Sequence, residues 1–322
     1  MWPLSLIYRL ITLVRRQYLT LHSKDKPYRA PVVVVGNLNI GGTGKTPLVM
    51  ALVSELKQRG FSPGVVSRGY GGYSAQYPLS VALDTSFHLS GDEPLLIARS
   101  NCCPVVVDPN RPEAVKHLLN NFDCNVVLSD DGLQHYRMHR DIEIVVIDGA
   151  IGLGNGCLLP AGPLREPESR LAQADFVVLN VTQCNGFETN INKLQKFSLS
   201  PINFRNLLTG DTRQIGEWKK NTRVHAVAAI GTPKRFEATL ISLGFNVTLH
   251  AFNDHRVLCP KELSFGDDLD IIITAKDAVK LSPNPDAKIW VLEVKAEIQT
   301  DLVDRLEAEL IALNQNRALS SS

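Results

Sequence analysis

The segment Val32-Val-Val-Val-Gly36-Asn-Leu-Asn-Ile-Gly41-Gly42-Thr43-Gly44-Lys45-Thr46, followed by an apolar-periodic stretch over Thr46–Arg59, constrains this chain more than any other. Strand, glycine loop and helix stand in the order a phosphate-binding loop requires. In such a loop the backbone N–H groups of Gly41, Gly42, Thr43 and Gly44 and the helix N-terminus cradle phosphate oxygens. Lys45 reaches the β and γ phosphates, and the Thr46 hydroxyl ligates Mg²⁺. The first position of GxxxxGK[ST] is Asn39 instead of Gly; Asn is among the residues that best tolerate positive φ. A chance glycine-rich turn is the plain alternative, and it leaves the flanking strand and helix unexplained.

A phosphate loop needs an acidic partner for the metal at the end of another hydrophobic strand. Asn125-Val-Val-Leu-Ser-Asp130-Asp131-Gly132 supplies it: Asp130 or Asp131 holds Mg²⁺ directly or through water. Taken alone, the pair also reads as turn aspartates capping a strand. Asp148, in Val146-Ile-Asp-Gly, follows a strand in the same way and ranks as a turn residue.

From Val32 onward, short β-branched runs alternate with helical patterns, the βαβ rhythm of a parallel sheet covered on both faces. The fold class is α/β: a P-loop-containing parallel sheet domain with a second, smaller α/β domain. Strands are expected at Val32–Val35, Gly64–Ser67, Pro104–Val107, Val126–Ser129, Ile142–Ile147 and Phe176–Asn180. The polar stretch Gln183–Thr222 carries no clear pattern and separates these from a second alternation over Val224–Leu313. The chain of 322 residues therefore divides into residues 1–200 and 201–322.

Lys and Arg number 34 against 33 Asp and Glu, a net charge of +1 that gives no global case for a nucleic-acid partner. No obligate protein partner is evident either. The six cysteines, Cys184 among them, form no CxxC pair, which points to the cytoplasm. The exception to the charge balance is Met1–Leu21, where Arg9, Arg15 and Arg16 interleave with Trp2, Leu4, Ile7, Tyr8, Ile11 and Val14 at helical spacing. Lys24, Lys26 and Arg29 against Asp25 extend the basic excess. Arg9 cuts the apolar run short of the ~20 residues that span a bilayer. An amphipathic surface helix remains, either at an anionic membrane surface or packed on the protein's own core.

Beyond the phosphate loop, further motifs follow in order: Ser67-Arg-Gly-Tyr-Gly71, Gly91-Asp-Glu-Pro94, Ser129-Asp-Asp-Gly-Leu-Gln-His135, Leu159-Pro-Ala-Gly-Pro-Leu-Arg-Glu166, Ile230-Gly-Thr-Pro233, Asp254-His255 and Thr274-Ala-Lys-Asp-Ala278. The series resembles the tetraacyldisaccharide 4'-kinase family along nearly the whole chain. The resemblance implies a kinase that uses ATP and Mg²⁺ to phosphorylate the 4'-hydroxyl of a tetraacylated glucosamine disaccharide 1-phosphate in lipid A biosynthesis. It places that kinase peripherally at the cytoplasmic face of the inner membrane. It also accounts for Asn39, and implies two α/β/α sandwich domains with the active site in the cleft between them.

By the same resemblance, Asp92 is the base that takes the acceptor's proton and His255, from the second domain, orients or tunes it. Read locally, Asp92 is an ordinary helix N-cap and His255 a loop histidine. Arg165 neutralises charge on the transferring phosphoryl group, with Glu166 in the metal shell, although both also read as a surface ion pair. Arg68, Arg111 and His135 are expected to contact phosphate or substrate. The competing class is a P-loop switch ATPase acting on a protein partner. ParA-like ATPases carry a lysine just before the glycine pair, where this chain has Ile40, and Thr274-Ala-Lys276-Asp277 lacks the spacing of a guanine-reading motif.

Overall fold

A computed structural model describes residues 1–22, 26–100, 102–183, 194–281, 286 and 288–321. Lys24, Asp25 and Cys184 lie outside the described residues. Helix α1 (Trp2–Leu21) takes up the amphipathic N-terminal stretch. There follow β1 (Val32–Asn37), α2 (Lys45–Gln58), β2 (Pro63–Ser67), β3 (Leu79–Ser80), α3 (Phe87–Ser90), α4 (Asp92–Arg99), β4 (Val105–Val107), α5 (Arg111–Asn121), β5 (Val126–Asp130), β6 (Ile142–Asp148) and β7 (Phe176–Asn180). Every residue of β1, β2, β4, β5 and β7 is buried, as strands of a sheet covered on both faces must be. One face packs on Leu48, Leu52 and Leu56 of α2 with Leu95 of α4; the other packs on Val115, Leu118 and Leu119 of α5.

The second alternation comprises β8 (Leu194–Asn206), β9 (Thr212–Gln214), β10 (Arg223–Ala228), α6 (Pro233–Ser242), β11 (Asn246–Ala251), β12 (Asp270–Thr274), α7 (Ala275–Ala278), β13 (Ile289–Ile298) and α8 (Thr300–Ser321). Its core is aromatic: Phe204, Trp218 and Phe245 meet edge to face with centroids 5.2 to 5.4 Å apart. Among the described residues the strands join in one sheet, in the order β11-β10-β12-β13-β8-β7-β6-β1-β5-β2-β4-β3, with β9 on β8. Neighbours are parallel except at β3–β4, β8–β9 and β13–β8.

The α/β class is as expected, but the stretch Gln183–Thr222 is not featureless. It holds the 13-residue strand β8, which pairs with β7 on one side and β13 on the other. Ser198, Ser200 and Pro201 hide the strand from a propensity reading, since Pro in a strand signals an edge or a bulge. The register does shift between Glu293 and Val294, and Val294 faces Pro201. The division at residue 200 thus falls within β8, and α8 returns to the first unit, where Leu302, Leu306 and Leu310 join the cluster around α2.

The topology sends the carboxyl ends of β1, β5, β6 and β12 to one region, where open α/β sheets bind ligands. Asn37, Asp130, Asp148 and Thr274 are the last residues of those strands.

Candidate active site

After β1 the chain turns through Gly41 (φ +111°) and Gly44 (φ +87°) into α2. A Cβ on Gly44 would come within 2.8 Å of Asn180 Nδ2, which donates to the Thr43 carbonyl at 3.1 Å. Glycine is required there by both conformation and space. Lys45 Nζ donates to Asn37 Oδ1 at 3.1 Å and lies 3.4 Å from Asp131 Oδ1. Arg165 Nη2 reaches the same two side chains, at 3.5 Å from Asp131 Oδ1. Thr46 is buried in the first turn of α2. Lys45, Asp131 and Arg165 are therefore together, as the motifs implied, with Asn37 as their common anchor.

Asp130 is 1% exposed, and neither carboxylate oxygen has a hydrogen-bond partner. Burial pushes its carboxyl up to about 7. An unpartnered carboxylate out of water is expensive, and a divalent cation relieves that cost. The buried Thr43 hydroxyl, on the glycine loop, is also unpartnered. Among the described residues no group of three or more His, Cys, Asp or Glu forms a cage for a metal. That donor set fits Mg²⁺, which keeps waters and substrate phosphate oxygens around one or two carboxylates. Burial also acts to raise the Asp131 carboxyl, but Lys45 and Arg165 outweigh it and hold the group below the usual carboxylate range.

Across a cleft from the loop, His255 Nδ1 donates to Asp92 Oδ2 at 3.0 Å, and lies 3.2 Å from Oδ1. Asp92 opens α4 with 4% of its surface exposed; His255 follows β11 in a left-handed conformation, φ +62°. Among the described residues only Asp131, Asn221 and His255 are non-glycine with positive φ, and two of the three sit here. Burial would raise the Asp92 carboxyl, yet the His255 hydrogen bond and the Lys276 and Lys280 ammonium groups hold it low. The same hydrogen bond raises His255 above its ordinary value, against burial and Lys276. Within the pair, Asp92 is the buried member and His255 the more accessible one, their side chains 4% and 24% exposed. A buried carboxylate held low is a weak proton acceptor.

Two further residues stand differently from expectation. Glu166 has both oxygens engaged: Oε1 accepts from Gln134 Nε2 at 2.9 Å, and Oε2 binds the Tyr136 hydroxyl and lies 3.5 Å from Arg170. Gln134 also donates to the Asn37 carbonyl at 3.1 Å, which ties Glu166 to the end of β1. Arg111 is 2% exposed and donates to the carbonyls of Asp108 (3.1 Å) and Asp130 (3.2 Å). Burial lowers its guanidinium to about 10. It braces the end of β5 at the floor of the site and lines the larger cavity described below; the sequence expectation was a phosphate or substrate contact. Arg68 is exposed, and His135 is kept neutral, at about 4, by burial and by Arg111, Arg140 and Arg68.

Two cavities meet at this region. One, of about 260 Å³, lies between Gly42–Thr46 and the second unit's Ile230, Thr232, Arg235 and Phe236, with Leu199, Pro201 and Leu292 as apolar walls. The other, of about 480 Å³, runs from Tyr8, Thr12, Arg15 and Arg16 of α1 past Arg68 and His135 to Asp131 and Arg165. Asn37, Lys276 and Arg235 were missed as site residues. Asn37 lay within the motif, Lys276 lay in a stretch quoted for the resemblance and weighed as a base-reading motif but given no role, and Arg235 carries no local signal.

A phosphate loop, an orphaned acidic strand end and an Asp–His pair facing them define a P-loop phosphotransferase. The profile of the family described as LpxK, tetraacyldisaccharide-1-P 4'-kinase, matches residues 1–311, and this chain belongs to that family. A tetraacyldisaccharide 4'-kinase of Hahella chejuensis is 43% identical over 98% of this chain and 94% of its own length. One of Alkalilimnicola ehrlichii is 49% identical over 88% and 83%. The crystal structure of the "apo" form of LpxK from Aquifex aeolicus in complex with ATP superposes with a TM-score of 0.79 at 28% identity, covering 97% of this chain and 98% of that one.

Proposed function

We propose that the two cavities are the two substrate sites of the family's reaction, ATP in the first and the tetraacylated disaccharide 1-phosphate in the second. The activity of the chain is ATP-dependent phosphorylation of the 4'-hydroxyl of that lipid, a step of lipid A biosynthesis. The observation that carries the assignment of roles is the Asp92–His255 pair, because an alcohol acceptor must give up its proton as it attacks and this pair can take it.

With Nδ1–H given to Asp92, the neutral ring leaves Nε2 as the acceptor. His255 takes the 4'-hydroxyl proton at Nε2 as that oxygen bonds to the γ-phosphorus and the bond to the β,γ-bridging oxygen breaks. Asp92 orients the ring and stabilises the imidazolium. The backbone of Gly41–Gly44 and the Lys45 ammonium hold the β and γ phosphates, and Arg165 neutralises charge on the group in transfer. Thr46 and Asp130, with Asp131 beside them, would hold Mg²⁺, which supplies charge neutralisation and orientation of the phosphates when bound. Arg68 and His135 line the acceptor's path.

Helix α1 gives the acceptor its setting. Ser5 donates to the Leu158 carbonyl at 2.7 Å and the Tyr8 hydroxyl to that of Arg165 at 3.4 Å, but Trp2, Leu6, Leu10 and Val14 are exposed. That apolar face, flanked by Arg9, Arg15 and Arg16, suits an anionic bilayer surface better than the protein's own core. No described helix is long and apolar enough to cross a membrane. The reading places the enzyme peripherally on the cytoplasmic face of the inner membrane, with residues 1–200, joined by α8, and the strands after 200 as its two closing units.

The test is turnover of His255→Ala and Asp92→Asn with both substrates saturating. A fall of about 10²-fold or more in kcat for His255→Ala fits general-base catalysis. Wild-type kcat in that variant would overturn it.

A further inference from the structure

Behind the Asp92–His255 pair stands a cation that none of the roles above uses. Lys276, on α7, lies 3.1 Å from Glu93 Oε1, 3.4 Å from Asp254 Oδ1 and 3.9 Å from Asp92 Oδ2. Glu93 and Asp92 open α4 of the first unit, whereas Asp254 and Lys276 belong to the second. An ammonium has three protons and no acceptor capacity, and here three carboxylates surround it. Although Lys276 borders the nucleotide cavity, its protons are therefore committed to the dyad's own neighbourhood.

We propose that Lys276 is a positioning residue for phosphoryl transfer: it draws α4 and the Asp254–His255 turn together across the cleft and keeps the Asp92–His255 pair in its working protonation state. The inference rests on the reading of His255 as proton acceptor.

The other groups facing the pair do not substitute for it. Lys280 lies 4.0 Å from Asp92 Oδ2 but only 2.6 Å from Asp277 Oδ1, and donates to the Ala229 carbonyl at 3.2 Å. Asp277 in turn accepts from Thr274 Oγ1 at 2.7 Å and from the Ala229 N–H at 3.2 Å. That buried pair is spent on holding β10 against α7. Tyr70 meets the His255 ring edge-on, 4.9 Å between centroids, and contributes shape. Asp254 Oδ2 lies 3.6 Å from His255 Nε2, so an unscreened Asp254 would hold the imidazolium charged. Lys276 is the charge that offsets it. Its cation favours ionised Asp92 and disfavours protonated His255.

The experiment is kcat and the KM for ATP across pH for the full-length enzyme, assayed with ATP, Mg²⁺ and the lipid acceptor in detergent micelles. Removing a cation from beside an acid–base pair raises the pH at which the base becomes free. Lys276→Met should therefore move the acid limb of kcat up by about one pH unit, with little change in the KM for ATP. Lys276→Arg should return the limb to its wild-type position. A limb that stays in place in Lys276→Met, or a rise confined to the KM for ATP, overturns the proposal. Should Lys276→Met fail to fold, Asp254→Asn gives the opposite-signed test: with that anion gone the limb moves to lower pH, and an unmoved limb overturns the proposal. Asp92→Asn separates the two layers of inference. Its limb should fall as His255 loses its anionic partner; no movement there sinks the reading of His255 as base, whatever Lys276 does.

Discussion

Arg235 Nη2 lies 2.7 Å from Asp148 Oδ2, joining the first turn of α6 to the last residue of β6 across the two halves of the molecule. Asp148 is 2% exposed, and its other oxygen accepts from the Ala150 N–H at 3.0 Å. Arg235 also borders the cavity beside Gly42–Thr46. Removing the guanidinium leaves a buried carboxylate without its cation, a loss of about 3 kcal/mol. Arg235→Met should therefore lower stability by that order in denaturant unfolding. Asp148→Asn added to it should recover part of the loss, whereas independent additive losses would show that the two residues are not coupled.

The pH dependence of activity follows from His255. Its hydrogen bond to Asp92 raises it above the ordinary histidine value, so kcat should climb as pH rises through that raised value and the ring loses its proton. Stability runs the other way. A histidine raised in the folded state contributes stability fully below its unfolded value and loses it as pH passes the folded one. His255→Gln should abolish both dependences; an acid limb identical to that of the wild type would assign it to another group.

Lys45 meets Asn37 and Asp131 and has no part in the hydrophobic core. Lys45→Ala should cost about 10²-fold or more in turnover while thermal unfolding changes little. Near-normal turnover would remove the phosphate-loop assignment.

For α1 the exposed face is decisive: Trp2 is 69% and Leu10 64% exposed, although both lie on a helix anchored through Ser5 and Tyr8. Deleting residues 1–21 should weaken cosedimentation with anionic vesicles, and added salt should weaken the binding of the intact chain as it screens Arg9, Arg15 and Arg16. Vesicle binding that is unchanged by the deletion would mean that α1 is not the docking element.

What the sequence made legible was local. The phosphate loop, the strand ending in Asp130-Asp131 and the βαβ alternation are each written within a few consecutive residues, and each lies where the pattern put it. The Asp92–His255 contact spans 163 positions, and only the family resemblance brought its partners together beforehand. Strand β8 escaped notice because it is held by backbone pairing on both sides with only four of its thirteen residues buried, while Ser198, Ser200 and Pro201 carry no strand propensity. Arg111 and Glu166 look from sequence like ligands reaching outward; their burial and their bonds to Asp130, Gln134 and Tyr136 depend on neighbours distant in the chain.

The most direct measurement follows γ-phosphate label from ATP, with Mg²⁺ and the purified protein, into tetraacyldisaccharide 1-phosphate held in detergent micelles. The expected result is one label transferred to the lipid for each ATP consumed, lost in His255→Ala. ATP hydrolysis to free phosphate with no label in the lipid would contradict a kinase and leave the Asp92–His255 pair without a proton to take.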